Sequence, residues 1–98
     1  MTNSKCPIRK SIKIVGGKWS MLIIYHLDES KRYGELKRLI PDISEKMLIQ
    51  NLKLLEKSKI IKRKNYQQIP PKVVYSLTSL GGEFFKLMPS LIKLGNKV

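Results

Sequence analysis

A mainly α-helical domain carrying one small β-hairpin is the fold class this 98-residue chain predicts. Three observations lead there. Between Ser44 and Lys57 apolar residues recur at the helical period, with Leu48, Leu52 and Leu55 on one side and Lys46, Gln50, Lys53 and Lys57 on the other. Two short stretches rich in β-branched and aromatic residues follow, Ile60 to Tyr66 and Lys72 to Leu77, joined across Pro70-Pro71. Apolar helical segments flank this block on both sides. The resulting order is three helices, a lysine-striped helix, two strands and a last helix. That is the topology of a winged helix-turn-helix.

Each element has a local reason. Pro7 suits the first position of a helix, where its missing N–H costs nothing, which puts Cys6 at the N-cap. Ile8, Ile12, Ile14 and Val15 supply apolar contacts until Gly16-Gly17 breaks that helix. From Lys18 to about Asp28 the chain is apolar on all sides, which predicts a fully buried helix at the centre of the core. A short helix over Tyr33 to Ile40 turns Leu36, Leu39 and Ile40 inward, and Lys37 and Arg38 outward. Pro41 stops it, and Asp42, Ile43 and Ser44 form the turn and N-cap of the next helix. In the second strand, Val73, Tyr75 and Leu77 should alternate inward and Val74 and Ser76 outward. Gln67 to Pro71 is a protruding tip. Thr78 can cap a last helix through Phe84, Phe85, Leu87 and Met88, which Pro89 kinks or restarts before Leu91, Ile92 and Leu94.

Composition narrows the function. A chain of this length forms one domain with a single modest core. No run is long enough to cross a bilayer and no signal-peptide core is visible, so a cytoplasmic setting is expected. One cysteine permits no internal disulfide, which fits a reducing compartment. The net charge of +13 calls for a polyanionic partner. The charge is also uneven: Lys57, Lys59, Lys62, Arg63, Lys64 and Lys72 occur with no acid among them. A membrane surface would favour an amphipathic helix with aromatic insertion, whereas this patch reads as strand and turn. Double-stranded DNA is the expected partner.

Within that reading the base-facing candidates lie on the helix after Ser44. Gln50 can pair bidentately with adenine, and Lys46 or Lys53 can donate to guanine or to a phosphate. Ser44 can offer its hydroxyl and the helix N-terminus to a phosphate oxygen. Ile49 borders the face and can touch a thymine methyl or pack inward. Arg63, Lys64 and Lys72 on the wing, with Arg32 ahead of the third helix, are backbone contacts. Taken singly, each of these cations has a plainer reading as a solvated surface residue; the helix-turn-helix spacing, the wing and the net charge together favour DNA.

The residues just named resemble the HxlR-type winged-helix transcriptional regulators, a family of the MarR-like superfamily. The likeness runs through Cys6-Pro7, Gly16-Gly17-Lys18-Trp19, Arg32-Tyr33-Gly34-Glu35-Leu36, Ile43-Ser44-Glu45-Lys46-Met47-Leu48, Leu52 to Glu56, and Pro70-Pro71-Lys72-Val73-Val74-Tyr75-Ser76-Leu77-Thr78 ahead of Gly81. Two positions depart from the usual pattern: Tyr33-Gly34 replaces Phe-Asn, and Lys59 replaces a helix-ending glycine. The resemblance implies one domain over 1–98, with the helix-turn-helix at about 33–57, the wing at about 60–77 and a dimerisation helix at about 79–95. It further implies a homodimer built from the two ends of the chain, a palindromic operator, and regulation of transcription, often of genes that answer oxidants or electrophiles. A repressor is the expected mode.

Cys6 is a candidate sensor on two grounds. An N-cap site beside Lys5, Arg9 and Lys10 lowers a thiol's pKa, and the resemblance adds that some HxlR-type regulators sense oxidants or quinones through a cysteine near this position. Its plainer reading is a small buried residue. Trp19, Tyr25, Phe84 and Phe85 read as core or dimer contacts, or as the lining of an effector pocket. His26 has no second ligand at metal spacing, and no metal or cofactor is expected. With no phosphate loop and no nucleophile–base set, an enzyme is not expected. Two other readings stand beside the main one: a sequence-tolerant nucleic-acid or chromatin protein in which Gln50 reads nothing, and a winged-helix protein-interaction module.

Overall fold

The computed structural model describes residues 7–15 and 17–98. In chain order the elements are α1 (Arg9–Val15), α2 (Lys18–His26), α3 (Tyr33–Leu39), α4 (Glu45–Lys57), β1 (Ile61–Asn65), β2 (Val73–Leu77), α5 (Ser79–Phe85) and α6 (Met88–Gly95). The winged helix-turn-helix order expected from the sequence is the order observed. α1 starts at Arg9, two residues beyond Pro7, with the Ile12 amide donating to the Ile8 carbonyl. Pro7 is thus in a turn and not the first helical residue as expected, and Cys6, the expected N-cap, lies outside the described residues.

One core joins the elements. Ile23, Ile24 and Leu27 of α2 and its C-cap meet Leu36 and Ile40 from α3, Ile43 from the turn, and Leu48, Leu52 and Leu55 from α4. Ile60, Ile61 and Met88 close it. Burying a leucine of this kind stabilises the fold by about 1.5–3 kcal/mol, so the three leucines hold α4 in place and leave its other face free.

The end of α4 is tightly organised. Lys59 has φ of 64°, in the left-handed region. The Lys59 amide donates to the Glu56 carbonyl, and the Ile60 amide to the Leu55 carbonyl. This is a Schellman closure, and it explains why glycine is common at this position: Lys59 carries a Cβ that the conformation disfavours. Thr78 then ties the joint to α5. Its hydroxyl lies 2.6 Å from the Lys59 carbonyl and 3.0 Å from that of Ile60, and its oxygen accepts from the Gly81 amide at 3.1 Å. Pro89 sits in the first turn of α6, where it breaks no helical hydrogen bond. The last helical segment is therefore restarted at Met88.

Four further expectations are corrected. α2 is not buried all round: Ser20, Ile23 and Ile24 are buried, but Tyr25 is exposed. Ile8 and Ile12 are 60% and 54% exposed, because nothing among the described residues packs over that side of α1. Leu39 is exposed and lines an open cleft with Tyr25 and Phe85, since Leu36 and Ile40 already fill the space under α3. β2 does not alternate cleanly; all five of its residues are half-buried. It pairs with β1 on one edge and, through a single bridge at Tyr75, with Lys31 on the other. A strand flanked on both edges keeps less of either face in water.

The apolar side of α2 that the core leaves open runs into α6. Met21, Leu22, Tyr25, Met88, Leu91 and Ile92 line a groove of about 340 Å³. Leu87 and Leu94 extend its exposed apolar margin.

Candidate nucleic-acid interface

The α4 surface is built by periodicity and fixed by polar anchors. Lys46, Gln50, Lys53 and Lys57 are all exposed, at a spacing that places them in one stripe along the helix. Ile49 beside them is 43% exposed, so it borders the stripe and is not part of the core. Ser44 is the N-cap, and its hydroxyl oxygen accepts from the Met47 amide at 3.1 Å. That bond uses an acceptor lone pair and leaves the hydroxyl proton free to donate.

A residue the sequence pattern does not single out secures this helix from behind. Asn51 donates to the Met47 carbonyl at 2.7 Å, and its side-chain oxygen accepts from the Ser20 hydroxyl at 2.9 Å. Ser20 is 1% exposed and Asn51 half-buried, so the pair is a partly buried clamp between α2 and α4. A hydroxyl in an otherwise apolar helix needs a buried partner, which was the available clue.

Arg32 is positioned by contacts that no local pattern announces. Lys31 exchanges both backbone hydrogen bonds with Tyr75, at 2.9 and 2.8 Å. The Arg32 amide then donates to the Glu35 carboxylate at 2.8 Å. Arg32 is thereby fixed beside the wing, on the open side of the domain. Lys31 itself is partly neutralised by Asp28 at 3.2 Å, and its hydrogen bond holds the Asp28 carboxyl below the usual range.

The wing cations divide between two places. In the β1–β2 ladder Arg63 pairs with Tyr75 and Lys64 with Val74, so their side chains project to opposite faces. Arg63 joins Ile49, Lys53 and Glu56 around a cleft of about 360 Å³ between α4 and β1. Lys72 joins Arg32, Lys31, Glu35 and Tyr66 around another of about 260 Å³. Lys64 and Lys72 each place an ammonium over the Tyr66 ring, at 4.8 and 4.9 Å from its centre. The nine candidates therefore form two basic groups, one along α4 with Arg63 and one around Tyr66. Cys6 lies outside the described residues and joins neither.

Under α4, Tyr33 holds a buried hydroxyl with no hydrogen-bond partner among the described residues. Its burial raises its pKa, and the Glu45 carboxylate at the start of α4 adds to the rise. The position is the one where the resemblance leads one to expect phenylalanine, which would leave no polar atom to satisfy. No helix among the described residues is long and apolar enough to cross a membrane.

Comparison with known proteins identifies the family and the fold. Residues 14–98 match the family described as HxlR-like helix-turn-helix. The chain is 44% identical over 96 residues to YkvN, an HTH-type transcriptional regulator of Bacillus subtilis, covering 97% of this chain and 81% of YkvN. A MarR-family transcriptional regulator of Porphyromonas gingivalis superposes with a TM-score of 0.82 at 47% identity, covering 98% of this chain and 92% of that one. The redox regulator HypR, in its oxidised form, superposes at 0.88 with 36% identity, over 95% of this chain and 97% of its own.

Proposed function

Because the chain belongs to the HxlR-like helix-turn-helix family of transcriptional regulators, we propose that it acts as a homodimeric repressor reading a palindromic operator. It is a DNA-binding regulator of the helix-turn-helix type, and not an enzyme. The observation that carries the finer reading is the solvent-facing stripe of Lys46, Gln50 and Lys53, clamped from behind by Asn51 and Ser20 and flanked by the wing. Gln50 reads adenine, Lys46 and Lys53 donate to guanine or phosphate, and Ile49 meets a thymine methyl. Ser44, Arg32, Arg63, Lys64 and Lys72 grip backbone and set the register.

The dimer rests on the apolar surface left open. Ile8 and Ile12 on one end and Leu87, Leu91 and Leu94 on the other are exposed, with the α2–α6 groove between α2 and the last helix. Apolar surface of this extent on a small domain favours an interface. A two-fold axis through it presents two α4 helices to half-sites about one turn of duplex apart. Such a dimer seated over a promoter blocks transcription.

Selection from a randomised duplex library tests the reading. The expected product is a palindrome, bound with a log–log salt slope of roughly −0.9 per neutralised phosphate. Gln50→Ala should relax preference at one position in each half-site, by about 1–3 kcal/mol of discrimination, and change non-specific binding far less. Equal losses of specific and non-specific affinity would remove Gln50 from the reading role. Enrichment of no motif would leave a sequence-tolerant binder, and negligible binding at physiological salt a protein-interaction module.

A thiol switch at Cys6 is the second half of the proposal. Its support is the likeness to HypR, a redox regulator seen in an oxidised form. With one cysteine per chain the accessible products are an intersubunit Cys6–Cys6 disulfide, a mixed disulfide, an oxyacid or an adduct. Diamide should release the dimer from DNA in the unaltered protein and leave Cys6→Ser bound. Indifference of both proteins to diamide, hypochlorite and quinone would dismiss the switch.

A further inference from the structure

We infer that Tyr66 is a positioning residue of the wing, holding Lys64 and Lys72 together as a paired cationic contact for the DNA backbone. The inference rests on the DNA-binding reading above and adds to it a residue with no charge and no assigned role. Three observations carry it. Lys64 and Tyr66 lie two residues apart along one extended segment, so they project to the same face. The Tyr66 amide donates to the Lys72 carbonyl at 2.8 Å, which sets Lys72 across the hairpin from the ring. Both ammoniums then settle over the aromatic ring, at 4.8 and 4.9 Å from its centre.

Two like charges held against one side chain repel, and lysine side chains lose rotamer freedom when they are ordered. The electron-rich face of tyrosine offsets both effects, because its quadrupole attracts each cation. Tyr66 is 44% exposed and belongs to no part of the core, so packing alone gives no reason for an aromatic there. It also borders the cleft that contains Arg32. The ring thereby holds a cation from β1 and one from the residue before β2, beside the cleft that Arg32 lines. A phosphate reaching that cleft meets charges already in place.

The test measures binding of a labelled mixed-sequence duplex at about 0.1 M salt, where backbone contacts dominate. Tyr66→Leu should weaken binding about fivefold, and Tyr66→Phe, which keeps the ring, should restore it to within about twofold. Tyr66→Thr, which keeps strand propensity without the ring, should weaken binding as leucine does, so a hairpin defect is distinguished by melting temperature. In a double-mutant cycle, Lys72→Gln should cost less in the leucine background than in the unaltered protein. The inference is overturned if Tyr66→Leu and Tyr66→Thr bind as tightly as the unaltered chain, if phenylalanine fails to rescue, or if the lysine and tyrosine effects simply add. If the unaltered protein itself does not bind the duplex, the DNA-binding reading fails first and takes this inference with it.

Discussion

Replacing Lys46 and Lys53 together by glutamate should lower affinity for duplex DNA about a hundredfold at 0.1 M salt while leaving the fold intact. At that salt each lost phosphate contact removes a factor of about eight through counterion release, and two acidic groups facing the duplex add repulsion. The salt slope should fall by about two contacts' worth, roughly 1.8. Stability should move little, because both side chains are exposed and make no hydrogen bond among the described residues. Lys46 stands in the first turn of α4, where a carboxylate is favoured by the helix dipole. Fluorescence anisotropy with a labelled duplex, beside a thermal melt, measures both quantities. Unchanged affinity in a variant that melts normally would mean that α4 does not face the DNA.

Gly81→Ala should destabilise the domain by about 3 kcal/mol, which for a chain of this size lowers the melting temperature by about 15 °C. Gly81 is buried in the first turn of α5, and a Cβ there would overlap the Ile60 backbone carbonyl oxygen and meet a Leu77 methyl at 3.0 Å. That carbonyl cannot retreat easily, since it accepts from both the Thr78 amide and the Thr78 hydroxyl. Gly82 supplies the control. A Cβ added there would meet nothing within 4 Å, so Gly82→Ala should stabilise α5 by up to about 1 kcal/mol. Differential scanning calorimetry on the two variants decides the matter. Equal shifts would show that backbone freedom, and not close approach, explains both glycines.

The contrast within Gly81-Gly82 shows where sequence reading stops. Two adjacent glycines look alike in the chain, yet one faces a backbone carbonyl and the other open space. The same limit applies to Leu39, whose helical spacing points inward although Leu36 and Ile40 already fill the space below. Arg63 and Lys64 read as one basic patch in the sequence, while strand alternation sends them to different sides of the wing.

What the chain alone determined is where the elements lie and what caps or breaks them, which period and local stereochemistry govern. The lysine stripe opposite Leu48, Leu52 and Leu55, the Ser44 and Thr78 caps, the break at Pro41, the restart at Pro89 and the two-strand wing all follow from neighbours within a turn or two. The charge that calls for DNA is equally local in origin. Contacts between segments far apart in sequence were settled only by tertiary packing. Ser20 finds Asn51 across 31 residues, Lys31 meets Tyr75 at the edge of the wing, and Thr78 reaches back to Lys59. None of these leaves a repeat in the sequence, because a single side chain or one backbone pair has no period. Their partners are chosen by the shape of the assembled core.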